Sequence, residues 1–392
     1  MTVRGGLTIR AAVVLAAVLA VVPAQVASAA PSSGFGPPVT VLPTSSCGDL
    51  RGPGRWADAA AGVGGRVYGF ADFGPGPCDG RIWYFSGRDR SWRHVRTPYT
   101  GRVLAAAWDT TGTYLLYANP TGVWVTKRTS AGVFTGGHRL SRTRDVSEGD
   151  LLVSRGSWWA VWAEDAPGDP GTAIFQAKTY GRAFGKRLVA GPDGSAVRTS
   201  PTLAWRPGGV AALASAQRDY FDRGPQSWPE LRTSRDGRWT MLAAPEFARV
   251  PPGDCFGSYP GSCMVAPVLD LAVHDSTIYL AYPSYYSNVT LASTESGTWD
   301  RVRVEGISTL HDYWANGGAT RPRLAVETGR LLVAGLDPGR GYLALAQRRG
   351  RWSLTRLTPA ADVKALVFAG GRPVILATGN ATHRLYALTG SP

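Results

Sequence analysis

A recurring pair of hairpins constrains the fold of this chain more than any other feature. Seven times, a short apolar segment enters a Gly- or Asp-containing turn and returns as a second apolar segment, as in "VLAAAWDTTGTYLLYA" and "ALVFAGGRPVILA". Apolar runs bounded by such turn residues are typical of buried β-strands. The first residues after the seven turns are Arg66, Thr113, Ser157, Val210, Thr277, Arg330 and Arg372. The unit therefore recurs with a period of about 50 residues.

A second hairpin follows each of the first six, so that each unit predicts four antiparallel strands, A to D. This hairpin ends on an aromatic residue in every case: Trp92, Phe134, Phe184, Trp239, Trp299 and Trp352. Four-stranded units repeated at this period predict an all-β chain folded as a β-propeller with seven blades. A six-bladed ring with one irregular segment and a pair of β-sandwiches are the alternatives, and the paired hairpins disfavour the sandwiches.

The two ends of the chain complement each other. The seventh unit has a third strand in "HRLYALTGSP" and then the chain stops, whereas "FGPPVTVLP" near the start supplies a strand without a hairpin partner. We expect residues 39–42 to dock as the outer strand of the last blade, which removes an exposed sheet edge. Residues 30–392 are then a single propeller domain.

The first 29 residues have the pattern of a secretory signal peptide. A basic start is followed by the apolar run "AAVVLAAVLAVV" and by the small residues "ASAA". We expect cleavage after Ala29, because cleavage after Ala30 would put Pro31 next to the cut. The run is short for a membrane span, and no second long apolar stretch follows. These features predict a secreted, extracellular and monomeric protein.

Four cysteines, at positions 47, 78, 255 and 263, are expected to form disulfides in an exported chain. Three connectivities are open. The spacing favours Cys255 with Cys263, which closes the short loop "CFGSYPGSC", and leaves Cys47 to pair with Cys78.

The chain is basic, with 42 Lys and Arg against 28 Asp and Glu and a formal net charge of +14. A compositional bias towards Arg and an anionic partner both explain this excess. The charge is scattered, and no basic run or nucleic-acid-binding motif is present, so specific DNA or RNA binding is not expected. The expected partners are extracellular carbohydrates or a cell-wall polymer.

Candidate ligand-binding residues concentrate in the long connections. In an antiparallel blade the A–B and C–D turns share one face, and the longer B–C and D–A connections share the other, where function usually concentrates. Those connections carry flat aromatic rings, which stack on sugars, and Arg side chains, which grip carboxylates. The predicted binding residues are Arg218, Asp219, Tyr220, Asp222, Trp228, Tyr286, Trp314, Arg321 and Arg323.

The segment "HDYW" gives the densest set of candidate catalytic groups. His311 has the chemistry of a general acid or base, and Asp312 is a carboxylate that would orient it. Glu164, Asp165 and Asp169 offer oxygen ligands to calcium, but their spacing does not match an EF-hand. No cofactor is therefore expected, with calcium at these three residues as the alternative.

Two turn segments resemble the Asp-box, roughly Ser-x-Asp-x-Gly-x-x-Trp, of sialidases. "TSRDGRW" keeps Ser234, Asp236, Gly237 and Trp239, and "STESGTW" keeps Ser293, Gly297 and Trp299. The chain thus resembles secreted, sialidase-like propellers, and it also looks like propeller lectins. The sialidase resemblance makes Tyr285, Tyr286 and Tyr313 candidates for a base-assisted nucleophile. Because Asp-boxes lie away from the active face, they indicate fold more than catalysis.

Three classes of function remain open. The first is a secreted propeller that binds extracellular glycans, including anionic ones, through the aromatic and Arg-rich loops of one face. The second is a glycoside hydrolase or polysaccharide lyase of sialidase-like architecture, which requires an acid and a base close together. The third is a protein-interaction scaffold, which requires a broad apolar patch.

Overall fold

The computed structural model of the chain describes fourteen stretches of the sequence, with the backbone alone at positions 147, 218–221 and 224–228. The stretches are residues 34–42, 57–72, 80–143, 146–166, 171–191, 197–221, 224–242, 268–283, 289–307, 321–337, 342–349, 351–360, 362–379 and 384–392. Within them the secondary structure is almost entirely β, and no helix is long and apolar enough to cross a membrane.

The first strand and the first three blades occupy the N-terminal half of the described chain. The first strand is β1 (Val39–Leu42). Blade 1 contains β2 (Ala57–Ala61), β3 (Val67–Asp72), β4 (Arg81–Arg88) and β5 (Ser91–Thr100). Blade 2 contains β6 (Arg102–Asp109), β7 (Gly112–Asn119), β8 (Gly122–Thr129) and β9 (His138–Ser141). Blade 3 contains β10 (Val146–Ser154), β11 (Ser157–Asp165), β12 (Thr172–Lys178) and β13 (Phe184–Ala190).

The remaining four blades follow in chain order. Blade 4 contains β14 (Val197–Arg206), β15 (Val210–Phe221), β16 (Gly224–Ser234) and β17 (Thr240–Met241). Blade 5 contains β18 (Asp270–His274), β19 (Thr277–Pro283), β20 (Val289–Ser293) and β21 (Asp300–Val304). Blade 6 contains β22 (Arg323–Glu327), β23 (Arg330–Leu336), β24 (Tyr342–Arg349) and β25 (Arg351–Pro359). Blade 7 contains β26 (Asp362–Ala369), β27 (Arg372–Thr378) and β28 (Leu385–Thr389), completed by β1.

The seven sheets stand in a closed ring. Each blade is a four-stranded antiparallel sheet, and in blades 1 to 6 the strands follow chain order from the inside outwards. The inner strands contact one another in sequence, β2 with β6, β6 with β10, and so on to β22 with β26, and β26 contacts β2 again. The structure is therefore a seven-bladed β-propeller, and the prediction of seven blades is confirmed.

The last blade is built from both ends of the chain. Strand β1 pairs antiparallel with β28, with Val39 opposite Ala387 and Leu42 opposite Leu385. The amide of Gly36 donates to the carbonyl of Thr389 at 3.0 Å and extends this contact towards the C-terminus. The predicted closing strand at residues 39–42 is confirmed, and it covers an edge of β28 that would otherwise be open to pairing with other chains.

Seven apolar clusters hold neighbouring blades together, one at each seam. The cluster between blades 2 and 3 contains the fully buried Trp162, and the cluster between blades 7 and 1 contains Val41 and Leu42 of the closing strand. The aromatic residues that begin the outer strands pack against the same clusters: Trp92, Phe134, Trp239, Trp299 and Trp352. The hydrophobic core is thus divided among the seven interfaces between neighbouring blades.

The degenerate Asp-box of blade 4 is one such interface. The Ser234 hydroxyl accepts from the Gly237 amide at 2.9 Å, and this turn places Trp239 against Trp159 of blade 3. The Gln176 side chain accepts from both indoles, at 2.9 Å and 3.1 Å, and donates to the Gly237 carbonyl. As predicted, Trp239 packs between neighbouring blades, so the motif stabilises the seam.

Replacement of a buried leucine in the closing strand tests how much this strand contributes to stability. Leu42 is 1% exposed inside the cluster between blades 7 and 1. We expect Leu42→Ala to lower the free energy of unfolding by about 2–5 kcal/mol, through lost transfer energy and a residual cavity. Denaturant unfolding measures this difference. Thr40→Ala on the exposed face of the same strand is the matched control, and an equal effect of both variants would contradict the role of Leu42 in closure.

Candidate functional site

The inner strands enclose a central cavity of about 350 Å³. Its polar lining comes from the first half of the A strands and from the residues just before them, which places it towards the face of the B–C and D–A connections. Five charged side chains line the cavity: Asp58, Asp150, Asp270, Arg321 and Arg323. Apolar side chains of the inner strands, such as Leu271 and Leu366, complete the wall.

The three carboxylates occupy equivalent places in blades 1, 3 and 5. One oxygen of each accepts a backbone N–H from the inner strand of the next blade. Asp58 Oδ2 accepts from Ala106 at 2.8 Å, Asp150 Oδ2 from Leu203 at 2.7 Å, and Asp270 Oδ2 from Leu324 at 2.8 Å. Each carboxylate thus links two blades through Oδ2, while its side chain also lines the cavity.

Sequence reasoning missed these three residues, although the repeat carries their signal. Asp150 and Asp270 each stand four residues before the end of their A strand, and Arg323 takes the same place in β22. Asp58 stands three residues before the end of β2. An alignment of the A strands with one another would have placed these charges together at the axis.

Burial dominates the electrostatics of the carboxylates. It raises the pKa of Asp150 to about 7, and the nearby charge of Asp58 adds to this effect. Burial also raises the pKa of Asp58 and of Asp270, and the Arg323 guanidinium opposes the rise at both. A carboxyl group that ionises near neutral pH in a cavity is a candidate functional group.

Arg321 and Arg323 supply the positive charge of the cavity. Arg321 Nη2 and Arg323 Nε are buried and have no hydrogen-bond partner among the described residues. The Arg321 charge lowers the pKa of Asp150 and of Asp270, so both guanidiniums act on the carboxylates across the cavity. Buried N–H groups without a partner are costly, so an acceptor in the cavity, such as a water molecule or a ligand oxygen, would stabilise both side chains.

Arg198 also lies near the start of an inner strand, but its side chain is already engaged. It donates to the Gln217 side chain at 2.7 Å and to the Gly191 carbonyl at 3.1 Å, and it forms an ion pair with Glu230. Glu230 also pairs with Arg232 at 3.2 Å. This buried cluster anchors the base of the hairpin of β15 and β16.

That hairpin carries four of the predicted binding residues. Its strands have 12 and 11 residues, longer than the other strands of the described chain. The backbone register sets Arg218 opposite Ser227, Asp219 opposite Gln226, Tyr220 opposite Pro225, and Trp228 opposite Gln217. The connection after β15 therefore extends on the same face as the polar end of the cavity.

The predicted calcium ligands do not assemble in the described part of the chain. Glu164 is buried, accepts from the Trp162 indole at 2.6 Å and pairs with Lys186, whereas Asp165 is exposed at the end of β11. No cluster of three or more His, Cys, Asp or Glu side chains in the described stretches is arranged to hold a metal ion.

Several predicted residues lie outside the described part of the chain. These are the catalytic candidates His311, Asp312, Tyr313 and Tyr285, the binding candidates Asp222, Tyr286 and Trp314, the calcium candidate Asp169, and the cysteines Cys47, Cys78, Cys255 and Cys263. Their assignments remain predictions. Of the predicted binding residues, Arg321 and Arg323 are the two whose side chains the structure places in the cavity.

The architecture is similar to that of solved propellers that bind or act on glycans. An α-L-arabinanase from Penicillium chrysogenum complexed with arabinobiose is 11% identical, with a TM-score of 0.51 over 91% of this chain and 98% of that chain. The polysaccharide lyase Uly1 is 10% identical, with a TM-score of 0.52 over 84% and 88%. A mutant of the Aleuria aurantia lectin in complex with α-methyl-L-fucoside is 13% identical, with a TM-score of 0.49 over 78% and 96%.

At these identities the similarity shows the fold and not the activity. No protein-family model matches the chain, and no curated protein sequence matches it significantly. The resemblance to sialidases is therefore not confirmed at the level of a family.

The raised pKa of Asp150 predicts a pH dependence of stability. An unfolded Asp ionises near pH 4, whereas folded Asp150 ionises at about 7. Between these values the folded state binds more protons at Asp150, so the contribution of this group to stability is fully present below about pH 4 and is lost as pH rises to about 7. We expect Asp150→Asn, whose side-chain oxygen still accepts from Leu203, to flatten this decline.

Thermal unfolding of both proteins at pH 5, 6, 7 and 8 measures the difference. Asp300→Asn, on the exposed outer strand of blade 5, is the control and should follow the wild type. Parallel profiles for wild type and Asp150→Asn would show that Asp150 ionises at an ordinary pKa in the folded protein.

Proposed function

We propose that this protein is a secreted propeller that binds an extracellular glycan, with acidic sugars as the preferred class, at the polar end of its central cavity. The observation that carries the proposal is the pair of unpartnered guanidinium N–H groups of Arg321 and Arg323 in a cavity of about 350 Å³. A volume of this order is in the range of small-molecule sites.

The cavity offers both kinds of contact that an acidic sugar requires. The planar fork of an Arg side chain matches a carboxylate with two parallel hydrogen bonds. The carboxyl groups of Asp58, Asp150 and Asp270 supply acceptors for hydroxyl groups, and a protonated Asp150 also supplies a donor. The arabinanase of similar fold is complexed with arabinobiose, which supports a saccharide as the class of ligand.

The position of the cavity supports a ligand longer than one sugar ring. Its polar end lies on the face of the B–C and D–A connections, where the hairpin of β15 and β16 extends and where the aromatic candidates Tyr286 and Trp314 belong by sequence order. An oligosaccharide would place one acidic ring against Arg321 and Arg323 and the following rings against these connections.

The exposed apolar residues argue against a protein-interaction scaffold. Several large exposed hydrophobic side chains of the described part lie on the outer strands of five different blades: Val95, Leu188, Met241, Val302 and Leu354. Residues distributed in this way around the ring do not make the single broad patch that a docking surface requires.

Binding of paired acidic and neutral oligosaccharides tests the proposal. Calorimetry with tri-galacturonate and with its carboxyl-reduced counterpart should show tighter binding of the acidic form. We expect Arg321→Ala and Arg323→Ala each to weaken that binding by about tenfold or more, because each removes a charge-assisted hydrogen bond. Arg351→Ala, an exposed Arg on the outer strand of the same blade, is the matched control. If a glycan array and this pair give no binding to the wild type, the proposal fails.

A second function, hydrolysis of the bound glycan, is favoured by one observation. Asp150 holds a proton near neutral pH in a cavity that Asp58 also lines, and a glycosidase requires a protonated carboxyl group and a second carboxylate in one site. We expect any hydrolysis of a bound oligosaccharide to be lost in Asp150→Asn while binding is retained. Release of reducing ends measures turnover, and unchanged turnover in Asp150→Asn would exclude Asp150 as the acid.

A further inference from the structure

A second cavity, of about 300 Å³, opens on the opposite face of the ring, at the seam between blades 7 and 1. We propose that this seam pocket binds a single sugar ring through its vicinal hydroxyl groups, independently of the central cavity. Its lining residues that carry the argument are Gly64, Arg88, Asp89, Trp92, Arg372 and Thr389.

One wall of the pocket is the unusual A–B connection of blade 1. In the other described blades the strands of this hairpin are joined by two or three residues, whereas Ala61 and Val67 are separated by residues 62–66, which form a 3-10 turn over Val63–Gly65. Gly64 and Gly65 adopt positive φ, which favours glycine. This longer loop lines the pocket with Gly62, Gly64 and Gly65, and at Gly65 it approaches the backbone of Ala369 and Gly370 in blade 7.

A rigid row of polar groups crosses the pocket. Asp89 lies in the tight turn of the outer hairpin of blade 1, and its two carboxylate oxygens are held by Arg88 from the same blade and by Arg372 from blade 7. Arg88 also donates to the Gly64 carbonyl at 2.9 Å, and Arg372 Nε donates to the Gly390 carbonyl at 2.9 Å. Each guanidinium therefore has two hydrogen-bond partners within the protein.

In this row the carboxylate of Asp89 is an acceptor between two donors, the guanidinium groups of Arg88 and Arg372. The hydrogen bonds of Arg88 and of Arg372 within the described chain use Nε and Nη1, so the Nη2 group of each is left for a ligand. Each oxygen of Asp89 accepts one guanidinium and keeps a further lone pair. Neighbouring hydroxyl groups of a sugar, each both donor and acceptor, match a donor–acceptor–donor row.

Trp92 supplies the apolar wall that a sugar ring requires. Its indole N–H donates to the Asp89 carbonyl at 3.1 Å, and its ring packs against Phe85 with 6.2 Å between centroids. It also lies directly over Gly87, where an added Cβ would come within 2.3 Å of the indole. The ring is thus immobilised, and an immobilised aromatic surface beside fixed donors binds with little entropic cost.

Saturation-transfer NMR with three methyl pyranosides, of galactose, glucose and mannose configuration, tests the proposal. These probes differ in the arrangement of their vicinal hydroxyls. We expect at least one to receive saturation from the wild type, and tetrahydropyran-2-methanol, which lacks vicinal hydroxyls, to receive none. No transfer to any of the three pyranosides would overturn the proposal.

Substitutions then locate the site. The Arg88 side chain is 57% exposed, so Arg88→Ala should leave the fold intact and weaken binding of the responding pyranoside by about tenfold. Trp92→Phe keeps an aromatic ring and should retain binding, whereas Trp92→Leu should lose it. If Trp92→Leu does not fold, the result for Arg88→Ala decides the test. Arg351→Ala, at the corresponding turn of blade 6, is the matched control, and equal weakening by both Arg variants would place the site elsewhere.

The seam pocket and the central cavity are distinguished by the variants already described. Binding at the seam should survive the substitution of both Arg321 and Arg323, and binding of tri-galacturonate should survive Arg88→Ala. Pyranoside binding that disappears with Arg321 and Arg323 would assign it to the central cavity and contradict the seam pocket.

Discussion

The structure depends on apolar burial between neighbouring blades. Each sheet is too small and too exposed to be stable alone, and its two faces are covered only by the sheets beside it. The seven seam clusters therefore stabilise one another around the ring, and the loss of one seam would uncover two sheets. This explains why the closing strand and the Asp-box turn both serve the same purpose, which is to complete a seam.

Polar groups link the blades where apolar packing ends. At the inner strands the three cavity carboxylates accept backbone N–H groups of the next blade, and at the turn face Asp89 joins Arg88 to Arg372 across the closure. In both places the same groups line a cavity. A side chain that is fixed by a structural bond and still faces a cavity is preorganised for a ligand, so stability and recognition share these residues.

The architecture could be predicted from the sequence, whereas the composition of the site could not. Seven hairpin pairs and the strand at Val39–Leu42 follow from local periodicity, because every blade repeats the same short-range pattern. Asp58, Asp150 and Asp270 are far apart in the chain and meet only because the ring closes. Arg321 and Arg323 were identified by their residue type and position, but their unpartnered N–H groups depend on neighbours that the sequence does not specify.

The pairing of Leu42 with Leu385 has a consequence for how the chain folds. The strands β1 and β28 that contain these partners are separated by almost the whole polypeptide, so their association carries the largest loop-closure entropy of any strand pairing in the seven sheets. Blades 1 to 6 each contain only consecutive strands and have local contacts, but the seventh cannot be completed until β28 is available to pair with β1. Assembly should therefore be limited by this last long-range step, as in other chains of high contact order.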